Sequence, residues 1–449
     1  MTGNDMSRWS RRGFLATLGG VGMGALAGCG GSAYTQVIGA TPREYRGRTH
    51  VVAWHSFGGI LQEALQKLID EFNQSQNGIF VEAQFQGSYE QTMQKVAAAI
   101  IAKQIPDLAV FSEITWRKMH LADALEPVNS YFDDRLGPHT YIDQFIEEGT
   151  VQGRTWWIPF ARSTPLFYYN KQIFSRAGLP ARAPRSWEEF REWAPAMMKV
   201  KGKGGTPKAF AMGGTYASWY FQNNVWVWGG NFSKGLDISI GDEPALAAGR
   251  WMVDFIRKDR AAYLSQTPDI DFGQGVTACT VLSTGSLKNT SELAKAGGFE
   301  IGTGFLPEHE GAFGCPTGGS GFGILRDAPA ERKQAAFEFL RFLAQPAKSA
   351  QWTMASGYLP VVKAAQKDPK LVALTKQDDN FSTALRQLPK TKPQDLVRPL
   401  VSNAGYMMDV GLQKLYSSTE SVDAVFGRLQ KQLQSRADLI EESYTKHYK

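Results

Sequence analysis

Four short runs of hydroxyl and glycine residues stand where apolar segments end: Gly58-Gly59, Ser163-Thr164, Ser283-Thr284-Gly285-Ser286 and Thr317-Gly318-Gly319-Ser320. Glycine lets a ligand approach the main chain, and helix-start amides with nearby hydroxyls suit a phosphoryl oxygen. Any one run alone also fits a turn or a helix cap; four in one chain point to a polar ligand. One of them lies inside "PFARSTPLFYYNK" (159–171), where Arg162, Ser163 and Thr164 separate two segments that both read as buried. Ser283 to Ser286 precede "LKNTSELAKAG", so their amides are expected to open a helix. An aromatic pair adds a second kind of chemistry. "TYASWYFQNNVWVWGG" (215–230) sets Tyr216 and Trp219 three apart, on one face of a helix. Such rings stack on a carbon skeleton or hold a quaternary ammonium by cation–π attraction. They equally fit a core, to which Trp226 and Trp228 are assigned.

Catalytic sets are not found. The six histidines are scattered, His50 and His55 are five apart, and neither H-x-x-x-H nor C-x-x-C occurs. "GGSGFG" (318–323) places Phe322 where G-x-S-x-G needs its second glycine, and it fails G-x-G-x-x-G as well. The chain has no Walker motif. Asp133-Asp134 and Glu147-Glu148 read as solvated faces. The expectation is a protein that binds rather than transforms, with no metal, no cofactor and no catalytic residue.

The elements that must carry these residues follow from periodicity. "THVVAWHS" (49–56), "IFVEAQFQ" (79–86) and "PDLAVFSE" (106–113) read as strands, with helical spacing in "ILQEALQKLIDEFNQ" and "TMQKVAAAIIAK" between them. Strand-helix alternation of this kind predicts an α/β sheet, whose ligands bind beyond the carboxyl ends of the strands. His55, Ser56, Gly58, Tyr89 and Glu113 then share one rim. The alternation resumes after residue 165, through "SWEEFREWAPAMMKV", "PALAAGRWMVDFIRKD" and "AAFEFLRFLAQ", and amphipathic helices close the chain from about 420 onward.

The chain opens on a twin-arginine pattern, Ser10-Arg11-Arg12-Gly13-Phe14-Leu15, followed by an apolar run too short to span a membrane. Leu26-Ala27-Gly28-Cys29 matches a lipobox, which predicts an export signal over 1–28 and lipidation of Cys29; a signal cut elsewhere is the alternative. Residues 30–48 are aperiodic and read as a surface tether. A chain of 449 residues with 43% hydrophobic and 12% aromatic content supports two or three packed domains. The net charge of +6 is spread without long like-charge runs, which argues against a nucleic-acid partner and mildly favours an anionic ligand. Cys279 and Cys315 remain after Cys29. Export permits a disulfide, but two buried thiols are the preferred reading.

Export, α/β lobes and the lack of catalytic residues resemble the extracellular solute-binding proteins of ABC importers. "AWHSFGG", "PFARSTPLFYYNK", "STGSL", "CPTGG", "SGYLPV" and "LVRPL" narrow the resemblance, over about residues 50–410, to the glycerol-3-phosphate and glycerophosphodiester-binding subfamily. The resemblance implies a two-lobed α/β periplasmic-binding-protein fold of type II, maltose-binding-protein-like, with a hinge and an interlobe cleft. Its N-terminal lobe would take 49–161 and 316–346, and its C-terminal lobe 162–315 and 347–449. By the same resemblance Tyr89, Glu113, Ser163, Tyr216, Trp219, Ser283 or Ser286, Gly319, Tyr358 and Arg398 line the pocket. Arg398 would grip a phosphate with forked donors, Glu113 would accept from glycerol hydroxyls, and Tyr216 with Trp219 would pack the far end. Tyr216 stands where relatives carry Trp or Leu, so the head group stays open, with glycerophosphocholine favoured over glycerol-3-phosphate. The implied protein is a monomer, lipid-anchored on the outer face of the cytoplasmic membrane, with ABC permease and ATPase partners. A sugar importer's oligosaccharide receptor is the alternative, and a secreted phosphodiesterase a more distant one.

Overall fold

In the computed structural model of the protein, residues 35–36, 39, 41–201 and 205–448 are described, so the export signal and Cys29 lie outside the described residues. The first strands are β1 (Thr49–His55), β2 (Ile79–Phe85), β3 (Leu108–Ser112), β4 (Ile158–Ser163) and β5 (Pro165–Asn170). They are followed by β6 (Lys208–Gly213), β7 (Ala262–Ser265), β8 (Thr277–Ser283), β9 (Ile301–Gly304) and β10 (Gly318–Ile324). Two five-stranded sheets result, in the orders β2-β1-β3-β10-β4 and β7-β6-β8-β5-β9. In the first, β1 runs parallel to β2 and β3, while β10 runs antiparallel to β3 with Ser320 opposite Ser112. In the second, β6 is parallel to β7 and β8, and β5 is antiparallel to both its neighbours. Strands β3, β4 and β5 are buried along their whole length. Burial on both faces explains why β3 and β5 read as near-continuous apolar runs rather than alternating ones.

The described chain forms two compact units. The first holds the residues up to Phe160, Ser320–Lys348 and Ser443–Lys449; the second holds Ala161–Gly319 and Ser349–Glu442. This division departs from the expected lobes in four places: Ala161 and residues 316–319 belong to the second unit, 347–348 to the first, and the segment from Ser443 onward also to the first.

In the first unit, helix α1 (Ile60–Ser75) buries Leu65, Leu68, Ile69 and Phe72, one apolar face at helical spacing. Helix α2 (Tyr89–Ala102) starts at a capping box: Ser88 Oγ accepts from Gln91 N–H, and the Gln91 side chain accepts from Ser88 N–H. Helices α2 and α3 (Trp116–Leu121) enclose a core of Val52, Trp54, Met93, Val96, Phe111, Trp116 and Trp157. Beneath it Asp107, fully buried, accepts from Val52 N–H at 2.9 Å and pairs with Arg332 Nε at 2.9 Å.

Residues 41–48, expected in the tether, pack instead. Tyr45 stacks on Phe80 with ring centroids 4.6 Å apart, and Arg48 donates to the carbonyls of Asn73 and Gln76. Glu82 also accepts from Gly39 N–H and sits 2.8 Å from His50 Nε2. Thr35–Gln36 pairs as a short parallel strand with Gln104–Ile105.

The second unit contains α4 (Ala217–Val227), α5 (Leu287–Ala296), α6 (Val397–Leu400) and α7 (Ala404–Ser417). Cys279 and Cys315 are both free and buried in it, their thiol pKa values pushed well up by burial. The chain then ends in α8 (Glu441–Tyr448). Its Tyr448 hydroxyl lies 3.2 Å from His120 Nδ1 on α3, and the His447 ring meets that imidazole edge-on. An aromatic foothold on the first unit explains why the last residues belong there. Among the described residues, no helix is long and apolar enough to cross a membrane.

Candidate functional site

Tyr89 and Glu113 are held on the first unit's rim by the strand ends. Tyr89 is the first residue of capped helix α2, and its hydroxyl donates to Ser320 Oγ at 3.2 Å. Ser320 opposes Ser112 across the β3–β10 ladder, and Glu113 follows Ser112 directly. The register therefore brings Tyr89 and the root of Glu113 to one end of the first sheet. His55, at the same end of β1, is 3% exposed; burial lowers its pKa to about 4, so it is a neutral imidazole at pH 7.

Arg398 is 1% exposed and sits on α6 in the second unit. The turn beneath it is tied down by several bonds. Asp395 accepts from Gln222 Nε2 (2.7 Å), Phe232 N–H (2.6 Å) and Trp226 Nε1 (3.1 Å), and Val397 N–H donates to Ser233 Oγ. Burial pushes the Asp395 carboxyl's pKa up, against the pull of those donors. Gln394 Nε2 and Trp219 Nε1 each donate to the Thr317 carbonyl at 3.0 Å. One carbonyl thus joins the Arg398 turn, the indole of Trp219 and the Gly318-Gly319 pair. Both glycines are needed there. A Cβ on Gly318 would meet the Trp219 ring at 2.4 Å; one on Gly319, which has φ +96°, would meet the Ala161 carbonyl oxygen at 2.0 Å.

Ser163, Ser283, Ser286 and Tyr358 form the other assembly in this unit. Ser163, 2% exposed, ends β4, and its neighbour Thr164 exchanges main-chain and hydroxyl contacts with Thr284. The Ser283 hydroxyl accepts from Gly285 N–H at 3.1 Å and so caps the short turn that leads into α5. Ser286, the last residue of that turn, makes no such cap bond. The Tyr168 hydroxyl donates to the Ser283 carbonyl. Tyr358 leans on the turn so closely that a Cβ on Gly285 would come 2.6 Å from its ring, and its far face stacks on Trp352. Next to it, Leu359 N–H donates to the Arg162 carbonyl at 2.8 Å.

Tyr216 differs from the expectation. It does not share a helical face with Trp219, because it precedes α4 with φ 58° and ψ 27°, the left-handed region that costs a side-chain-bearing residue about 1 kcal/mol. It is 38% exposed, whereas Trp219 is 6% exposed. Trp226 is buried as assigned, but Trp228 is only half-buried and stacks on His309 at 3.9 Å. Of the acidic pairs, Glu148 is buried rather than solvated, and Asp133 is ion-paired with Arg341, which holds its carboxyl well below the usual range.

The sequence marks Arg162 as part of a polar break without assigning it to the pocket, and it is fully buried; Asp409, whose Oδ1 accepts from Ser218 N–H and Oγ–H at 2.7 and 2.6 Å, has no place in that reading. An arginine inside an all-buried strand pair was a usable signal; Asp409 on α7 had none, since its partner lies 191 positions away. A groove of about 670 Å³ in the second unit, between Arg182, Thr303 and Asn380, contains none of the predicted residues. Of the four cations that line it, Arg182 and Lys171 are paired to Glu189 and Glu300. Among the described residues, no group of three or more His, Cys, Asp or Glu is placed to hold a metal.

Two mixed α/β units built on such sheets, crossed repeatedly by one chain, define a binding-protein class. The chain belongs to the family of bacterial extracellular solute-binding proteins, whose model matches residues 67–381. Among solved structures, it superposes on UgpB from Mycobacterium tuberculosis in complex with glycerophosphocholine with a TM-score of 0.82 and 31% identity, covering 88% of this chain and 99% of that one. It is 28% identical over 379 residues to the sn-glycerol-3-phosphate-binding periplasmic protein UgpB of Escherichia coli K12, covering 78% of this chain and 83% of that protein. The maltose-bound MalE3 of T. maritima, at 20% identity, a TM-score of 0.75 and coverage of 86% and 99%, shares the fold. The two-lobed, maltose-binding-protein-like fold and the subfamily resemblance expected from the sequence both hold.

Proposed function

We propose that this protein captures a glycerophosphodiester outside the cytoplasmic membrane and delivers it to an ABC permease and its ATPase. Glycerophosphocholine is the favoured ligand and glycerol-3-phosphate a weaker one. The observation that carries the reading is a buried guanidinium, Arg398, on a turn bonded through the Thr317 carbonyl to Trp219 and beside the Gly318-Gly319 pair. A forked cation removed from water suits a phosphoryl group, which accepts two parallel N–H bonds. Ser163, the Ser283–Ser286 turn, the Gly319 amide and Tyr358 add donors to the same group. The subfamily resemblance assigns Tyr89 and Glu113 to the glycerol hydroxyls, and Tyr216 with Trp219 to the head group, where an aromatic face favours a cation. The likeness to a protein crystallised with glycerophosphocholine supports this choice over a sugar.

Binding is the whole of the work: ligand biases a conformational equilibrium and no bond is made or broken. The protein acts as a monomer. Cleavage before Cys29 and acylation of that residue would anchor it to the membrane's outer face. Calorimetry of the mature chain against glycerophosphocholine, glycerol-3-phosphate and maltose tests the reading. Tightest binding of the choline ester and no heat from maltose are expected; maltose binding with silent phosphates would overturn it.

A further inference from the structure

Helix α4 begins in an unusual way. Its N-cap position is occupied by Tyr216, which offers no side-chain cap and adopts a left-handed backbone. A serine, threonine or aspartate at that position would cap the helix locally. Here the cap comes instead from α7, where the Asp409 carboxylate accepts from both the N–H and the hydroxyl of Ser218. One turn further along α7, Gln413 Nε2 donates to the Gly214 carbonyl at 2.9 Å. Two side chains four apart on a single helix thus hold the segment on both sides of Tyr216. A carboxylate at a helix N-terminus is also stabilised by the positive end of the helix dipole. Local preference is set aside for a tyrosine that stays 38% exposed, and left-handed non-glycine residues persist only where their surroundings fix them. The arrangement makes sense when the direction of that ring matters.

We propose that Asp409 and Gln413 are positioning residues that aim the Tyr216 ring and so set selection between glycerophosphoryl ligands with and without a cationic head group. The proposal rests on the functional reading above. Calorimetry on the full mature chain measures the dissociation constants of glycerophosphocholine and glycerol-3-phosphate and takes their ratio. Asp409→Ala is expected to cut the preference for the choline ester about tenfold, as loss of one charge-assisted cap frees the ring. Asp409→Asn, which keeps an acceptor for Ser218 N–H, is expected to restore about half of that loss on a logarithmic scale. With Tyr216→Ala already present, Asp409→Ala should change the ratio no further.

Equal weakening of both ligands by Asp409→Ala, or additive effects in the double variant, would reduce Asp409 to a structural cap and overturn the proposal. A Tyr216→Ala variant that shifts the ratio while Asp409→Ala does not sinks the positioning role alone. If Tyr216→Ala leaves the ratio unchanged, the aromatic head-group reading falls with it. Should Asp409→Ala fail to fold, Ser218→Ala removes the hydroxyl end of the same contact and is expected to shift the ratio about threefold; no shift there overturns the proposal equally.

Discussion

Replacing Arg398 puts the phosphate reading at greatest risk. Its side chain is 1% exposed, so a phosphoryl group beside it would be held away from water. The backbone of the turn is fixed independently of the guanidinium, through Asp395, Gln394 and the Val397 amide. Arg398→Ala should therefore leave the turn in place while removing the cation. Stripping one partner from a buried charge pair costs about 3 to 5 kcal/mol, or roughly 150- to 5,000-fold in Kd. Arg398→Lys keeps the charge but loses the fork, and a loss of about tenfold is expected. Calorimetry against glycerol-3-phosphate and glycerophosphocholine reads both variants, with thermal unfolding as the control for folding. Because the pair is shielded, raising salt from 50 to 500 mM should change wild-type affinity by no more than about threefold. An Arg398→Ala protein that melts normally and still binds either ligand within tenfold of wild type refutes the assignment.

Tyr216→Gly should raise the melting temperature, since glycine adopts the left-handed backbone without strain worth about 1 kcal/mol, while weakening glycerophosphocholine about fivefold; scanning calorimetry and titration read the two effects. Acid should destabilise the fold through His55 and His120. Burial lowers both pKa values to about 4, with His447 and Arg117 adding to the effect at His120. The unfolded chain takes up protons near pH 6.5 while the folded one does not, so stability falls between about pH 6.5 and 4, by up to roughly 3 kcal/mol per group. Denaturant midpoints at pH 7 and 4.5 should converge in His120→Phe relative to wild type. Asp107→Ala leaves Arg332 and the Val52 amide without their carboxylate and should cost about 3 kcal/mol, read as a lower urea midpoint.

Much of the scaffold was legible because its signals are local. Strands β1, β2 and β3 and the two helices between them announced themselves by periodicity, and the serine-glycine turn before α5 by composition. The subfamily motifs supplied site assignments that spacing and composition alone do not. What escaped depends on partners far apart in the chain. The Tyr89–Ser320 bond spans 231 positions and the Ser218–Asp409 contact 191, and no spacing rule connects such pairs. Tyr216 misled for a related reason: the i, i+3 pattern assumes a helix that has already begun, whereas the backbone turns left-handed at that residue. The last helix looked like part of the second lobe because nothing in its own sequence reveals that Tyr448 reaches His120.

The seating of the early residues has a consequence for reach. Thr35–Gln36 already pairs with Gln104–Ile105, and Gly39 is bonded to Glu82. With an acyl group on Cys29, the six residues to Thr35 can extend at most about 22 Å. Such a receptor would ride close to the bilayer, near any permease embedded there, instead of sampling a wide volume on a long leash.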